Sequence, residues 1–188
     1  MRYGGPDGEK QRIRQETRQI SRQLSPEYRE EASRSITRQV LALPSWKKAR
    51  TVMAYVSLPE EPDTRALIEA ALREGKTLLL PRCVDGEHMV AVPVKDPSLL
   101  KPGILGIPEP DLPSAGDSAP EPDLILVPCV AAAPNGARLG HGAGYFDRYL
   151  ALSRGEKVCL CFGALLRADL PTDDTDVPMD MVITDRGD

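Results

Sequence analysis

The chain is poor in the residues that build metal and disulfide frameworks, with four cysteines and two histidines in 188 residues. Cys83, Cys129, Cys159 and Cys161 contain no Cys-x-x-Cys pair, and only His88 and His141 could join them. A structural zinc site needs about four such ligands at set spacings, so none is expected and the thiols read as buried and free. Long apolar runs are also missing. No stretch approaches the ~20 residues that span a bilayer, and the polar N-terminus has no signal-peptide core. The expectation is a cytoplasmic protein without membrane contact. Nor does one sign of charge dominate: 24 Lys and Arg against 28 Asp and Glu leave a net −4. That excludes nucleic acid as a bulk electrostatic partner. The charge is unevenly placed, however. Basic residues crowd 10 to 50 and acidic ones crowd the last 30, so a basic helix could still serve one anionic ligand.

What is there reads as one domain, with residues 1 to 8 a loose tail and 9 to 188 a folded unit. Residues 9 to 24 are polar and helix-prone, with Ile13, Ile20 and Leu24 on roughly one side. Ser25-Pro26 restarts a helix, Ser as N-cap and Pro in the first turn, that runs to about Leu43. Arg50 to Ser57 reads as a strand and Thr64 to Glu74 as a helix ended by Gly75. Lys76 to Leu80 reads as a short buried strand closed by Pro81. Asp85-Gly86 signals a hairpin between 82–84 and 89–94. Residues 95 to 122 form a long Pro-, Gly- and acid-rich loop. Strands then follow at Leu124–Val127, Lys157–Phe162 and Met181–Thr184, with a helix at Tyr145–Ser153. The alternation predicts an α/β fold: three layers, with a mainly parallel sheet flanked by helices. Ligands in such sheets bind beyond the carboxyl ends of strands, so loops 57–63, 81–84 and 128–144 should share one cleft.

The most informative stretch is RLGHGAGYFDRY, Arg138 to Tyr149, where Gly140, Gly142 and Gly144 alternate between a strand and a helix. Glycines let backbone amides turn toward an anion, and a helix start adds free N–H groups. The spacing is neither the dinucleotide fingerprint nor the phosphate loop that ends in Gly-Lys-Ser/Thr. Arg138 could grip phosphate and Asp147 could hold a bridging cation. Lys10 and Arg14, four apart, share a helix face, which read alone is as compatible with a solvated basic surface. Glu61 alone reads as a helix-leading acid, 173–176 as an acidic surface turn, and Tyr145 as a packing residue.

RLGHGAGYFDRY closely resembles the signature of the 5-formyltetrahydrofolate cyclo-ligase (methenyltetrahydrofolate synthetase) family. The resemblance extends from about residue 9 to 187. It takes in the Lys10/Arg14 pair, LPSW at 43–46, DTRALIEAALREGK at 63–76 and PGILGIPEP at 102–110. It implies a fold of the NagB/RpiA/CoA-transferase type. It also implies ATP and Mg²⁺ as cofactors and a reduced formyl folate as substrate, in a monomer or weak dimer. By resemblance, Lys10, Arg14, Arg138, Leu139, Gly140, His141, Gly142, Ala143, Gly144, Tyr145 and Phe146 would bind ATP. Val56 and Glu61, with residues 141–145, would bind the folate, Glu61 facing the amino group and ring N–H of the pterin. Asp147 and Asp176 would hold Mg²⁺, with Asp180 as the alternative to Asp176.

The chain departs from the family pattern at His141 (usually Tyr or Arg), Ala143 (often Gly or Lys), Phe146 (commonly Tyr), Pro62 (usually aliphatic) and Ala164-Leu165 (usually Glu-Gln). The resemblance implies ATP-dependent closure of 5-formyltetrahydrofolate to 5,10-methenyltetrahydrofolate through a phosphorylated formyl group. The departures keep two alternatives open: a related enzyme acting on another formylated or pterin-like substrate, and a non-catalytic folate- or nucleotide-binding regulator.

Overall fold

The computed structural model describes residues 6–103, 106–112 and 119–187. The first helix, α1 (Pro6–Gln23), begins inside the expected tail; residues 1–5 lie outside the described part. Proline suits a first helical turn, and Asp7 and Glu9 there complement the helix dipole. Its buried stripe is Lys10, Ile13, Thr17 and Ser21, spaced three and four apart, whereas Ile20 faces solvent. A polar stripe escapes a search for apolar periodicity. This one is buried because the helix packs against residues 131–139, the 163–167 segment and the 173–176 turn.

In α2 (Pro26–Ala42), Ser25 caps as expected, its Oγ accepting from the Tyr28 amide at 3.1 Å. The short α3 (Pro44–Lys48) buries Trp46, whose Nε1–H donates to Glu74 at 3.1 Å. The strands and helices that follow are β1 (Thr51–Met53), α4 (Arg65–Arg73), β2 (Thr77–Cys83), β3 (Met89–Pro93), β4 (Lys101–Pro102) and β5 (Pro108–Glu109). After them come β6 (Leu124–Val127), β7 (Ala131–Ala132), β8 (Arg138–Leu139), α5 (Tyr145–Leu150), β9 (Glu156–Leu160) and β10 (Met181–Ile183).

The main sheet has the order β10-β9-β6-β1-β2-β3, parallel throughout except for the edge strand β3, which pairs antiparallel with β2. Every residue of β1 and β6 is buried, as expected for a parallel sheet covered on both faces. Chain order reverses between β1 and β6: β1 leads through α4 to β2 on one side, while β6 docks on the other. A crevice opens at such a switch point.

Two departures from expectation shape that crevice. The first strand ends at Met53, not Ser57. Beyond Ala54, whose amide reaches Leu79 O at 2.9 Å, the chain leaves the ladder, and Tyr55 and Val56 wall the crevice. The second strand does not stop at Pro81 but continues to Cys83. Even-numbered residues of β2 bond toward β3 (Leu78 O accepts from Val94 N), and odd ones face β1. Pro81 is odd and lies past the last bond to β1, so its missing N–H forfeits no ladder bond. The hairpin at Asp85-Gly86 forms, with Val84 N on His88 O at 3.0 Å. The described residues of the long loop include a 3₁₀ turn, Pro97–Leu99, and the small β4–β5 pair. All four cysteines are buried and free.

Candidate functional site

A cleft of about 1130 Å³ opens at the carboxyl ends of β1, β2 and β6, and the three expected loops all contribute to it. Behind one side of it, reaching the lining through Leu139, is a small apolar cluster in which Ile13 of α1 packs with Ala131, Ala133, Ala137, Leu139 and Leu170. This cluster fastens α1 to the β7–β8 hairpin (residues 131–132 and 138–139). It thereby brings Lys10 and Arg14 to a loop nearly 130 residues away in sequence.

Lys10 is buried, and its Nζ lies 2.5 Å from both Asp173 and Asp176. Burial alone would lower the ammonium pKa. The hydrogen bonds and charges of the two carboxylates outweigh that, and the net direction is up. The Lys10 hydrogen bond, helped by Thr175, holds Asp173 well below the usual carboxylate range. The acidic turn at 173–176 is therefore the ion-pair partner of α1, which a reading of the turn as solvated surface missed. Arg14 donates from Nε to Gly140 O at 2.9 Å, and its guanidinium packs on Gly142. Gly142 has φ 111°, a conformation that disfavours any side chain. Desolvation, then the neighbouring charge of Arg18, lower the Arg14 pKa.

Arg138 is turned beneath the glycine loop. Its Nη1 donates to Pro128 O at 2.9 Å, its Nη2 to Asp147 Oδ2 at 2.8 Å, and its guanidinium stacks 5.8 Å from the Phe146 ring centre. Asp147 Oδ1 accepts from Val177 N at 3.3 Å, which sets Asp147 beside Asp176. Among the described residues no cluster of three or more acidic, His or Cys side chains is poised for a metal. Two hard carboxylates are nonetheless a fitting donor set for an ion that binds with phosphates and water. Asp180 does not face the cleft. Its carboxylate accepts from Lys157 N at 2.7 Å, at the opposite, amino end of β9, which removes it as the alternative to Asp176.

The other wall is mostly apolar: Tyr55, Val56, Leu58, Pro81, Met89 and Pro108. Glu61 is the charged group on this wall that faces the glycine loop. Its Oε2 accepts from Leu58 N at 2.8 Å and its Oε1 meets His141 Nε2 at 2.9 Å. The Tyr55 hydroxyl is buried without a partner among the described residues, and burial pushes its pKa well up. The only local sign of Tyr55 as a site residue is its position just past a buried strand. Tyr145 lines the cleft and donates its hydroxyl to Asp85 O at 3.0 Å, tying α5 to the hairpin. Leu139, Gly140, Ala143, Gly144 and Phe146 also line the cleft.

A basic cradle of glycine amides beside a buried carboxylate in an apolar wall suits an anion next to a flat polar ring. The sequence model of the 5-formyltetrahydrofolate cyclo-ligase family matches residues 6–185. The chain belongs to that family. A probable 5-formyltetrahydrofolate cyclo-ligase of Schizosaccharomyces pombe is 36% identical over 169 residues, covering 80% of this chain and 82% of the relative. The Escherichia coli K12 5-formyltetrahydrofolate cyclo-ligase is 31% identical, covering 85% and 91%. The Aquifex aeolicus 5,10-methenyltetrahydrofolate synthetase superposes with a TM-score of 0.82 at 32% identity, covering 95% of this chain and 90% of that one. Seen as a cyclo-ligase family member, the chain carries its Ala164-Leu165 departure away from the cleft lining. Leu165 is in the core, and the Ala164 amide bonds to the Tyr28 hydroxyl at 3.2 Å. The His141, Ala143 and Phe146 departures lie within it.

Proposed function

We propose that this cyclo-ligase family enzyme converts 5-formyltetrahydrofolate to 5,10-methenyltetrahydrofolate, using ATP and releasing ADP and phosphate, with the two cleft walls each holding one substrate. The observation that carries the proposal is the meeting of the walls: the glycine loop reaches the buried Glu61 through His141 at 2.9 Å. An anion on the loop and a ring on Glu61 would thus be neighbours. The cleft volume also exceeds the range of roughly 300–1,000 Å³ usual for one small ligand, as two substrates require.

Lys10, Arg14 and the amides of residues 139–146 hold the phosphates. Arg138, to which the resemblance also gives a phosphate contact, lines the cleft but is committed to Pro128 O and Asp147, so here it supports the loop and orients Asp147. Mg²⁺, held by Asp147 and Asp176, would neutralise phosphate charge. Glu61 accepts the adjacent N–H donors of the pterin, and Val56 packs on its ring. The formyl oxygen then bonds to the terminal phosphorus as the bond to ADP breaks. The neighbouring side-chain nitrogen attacks the activated carbon and loses its proton, and phosphate leaves with the former formyl oxygen. Phosphate is a far better leaving group than a formamide oxygen. The protein contributes positioning and charge neutralisation, and no covalent nucleophile is needed.

The same reading places the enzyme in the cytoplasm, as a monomer or weak dimer with small-molecule partners. Among the described residues, no helix is long and apolar enough to cross a membrane. The test is the absorbance of the methenyl product with purified protein, 5-formyltetrahydrofolate, Mg²⁺ and ATP. A rise that needs every component supports the assignment. No rise while both ligands still bind contradicts it.

A further inference from the structure

The hydrogen bond that joins the two walls involves His141, a residue at which this chain differs from the family pattern. Glu61 is buried, its side chain 4% exposed, while the His141 ring is 44% exposed at the cleft. A carboxylate only accepts hydrogen bonds, so the imidazole presents Nε2–H to Oε1. The other oxygen is held by Leu58 N at 2.8 Å. Each oxygen thus spends one lone pair on the protein and keeps one. A carboxylate held through both oxygens, with acceptor capacity left on each, suits two adjacent N–H donors on a ring edge. Without such clamps a glutamate must give up rotamer freedom when it binds.

Among the described residues, His141 is the one side chain that hydrogen-bonds Glu61; the other partner is backbone. The backbone carrying His141 is set from the opposite direction. Arg14 Nε holds Gly140 O at 2.9 Å, and the Arg14 guanidinium packs against Gly142. The connection therefore runs from Arg14 through the glycine loop to His141 and then to Glu61.

We propose that His141 is a positioning residue for the folate. It orients Glu61, and it makes folate affinity depend on whether the glycine loop is occupied by nucleotide. The proposal rests on the assignment of Glu61 to the folate and of the loop to ATP phosphates. Binding linkage makes the dependence reciprocal, so each substrate tightens the other by the same factor.

The test measures the dissociation constant of 5-formyltetrahydrofolate by calorimetry, with and without Mg²⁺ and a non-hydrolysable ATP analogue. The proteins are the parent and its His141→Ala, His141→Gln and Glu61→Gln variants. Loss of a hydrogen bond to a charged group should weaken folate binding about tenfold in His141→Ala and abolish its dependence on the analogue. His141→Gln keeps an N–H donor and should restore most of both, which a merely structural role for the ring would not explain. Parent-like folate affinity in His141→Ala, with Glu61→Gln still defective, would overturn the proposal and leave the Glu61 assignment standing. Parent-like folate affinity in Glu61→Gln would remove the assignment itself, and the proposal with it.

Discussion

The two walls of the cleft solve recognition in opposite ways. On the α1 side two of the three cationic side chains are already paired with carboxylates, Lys10 with Asp173 and Asp176 and Arg138 with Asp147, while Arg14 donates to Gly140 O. On the β1–β2 side a largely apolar surface surrounds Glu61, which is held by a backbone amide and by His141. A wall of the first kind binds by exchange: the anion displaces a carboxylate, and the affinity is a difference between two ion pairs. A wall of the second kind binds by shape and by hydrogen bonds to a group already in place. The first should be sensitive to competing charge, and the second to geometry.

The sharpest break in this comparison comes from Glu61→Gln. It replaces one acceptor oxygen by a donor in the preformed wall and should weaken folate binding on the order of 10- to 100-fold, as loss of charged hydrogen bonds does. Equilibrium binding of 5-formyltetrahydrofolate without ATP measures it. Arg14→Ala acts on the exchanging wall and should weaken ATP binding about tenfold, less than the full worth of a phosphate contact because Lys10 remains. Unchanged ATP affinity by calorimetry would remove Arg14 from the phosphate site.

Asp173→Asn tests exchange itself. With one of two competitors for Lys10 neutralised, ATP should bind a few-fold more tightly, whereas a weaker ATP complex would mean that Asp173 orients Lys10 and does not compete for it. The same variant has a pH signature. The Asp173 pKa is lowered in the fold, so its contribution to stability is present above the unfolded carboxylate pKa of about 3.9 and is lost as pH falls through the folded value. The parent protein should therefore lose melting temperature in acid more steeply than Asp173→Asn. Lys10 is raised, so its share is complete below about 10.4 and is lost only as pH climbs above the folded value.

The smallest effect concerns Tyr55. Its buried hydroxyl has no partner among the described residues, so Tyr55→Phe should leave the melting temperature of the free protein unchanged or slightly higher. A folate affinity reduced a few-fold in the same variant would assign that hydroxyl to the substrate.

Much of this was legible in the chain because it is local. The Ser25 cap, the Asp85-Gly86 hairpin and the strand–glycine–helix order are written in neighbouring residues, and the fourfold spacing of Lys10 and Arg14 puts them on one helix face. The unread part is long-range. Nothing near Asp173 announces a partner 163 residues away, and nothing near His141 announces Glu61. The local rule for proline puts a strand end at Pro81 because it ignores which side of the strand the missing N–H would face. The inward stripe of α1 escaped because it is polar. Arg138 stands in the phosphate motif, yet its orientation depends on Asp147 and Pro128 O.

The most direct test of the two-wall account is a calorimetric titration of Mg-ATP into Glu61→Gln in the absence of folate. The account predicts an ATP affinity within about twofold of the parent, a change of about 0.4 kcal/mol. ATP binding that collapses along with folate binding would contradict it, because one wall could not then be altered without the other.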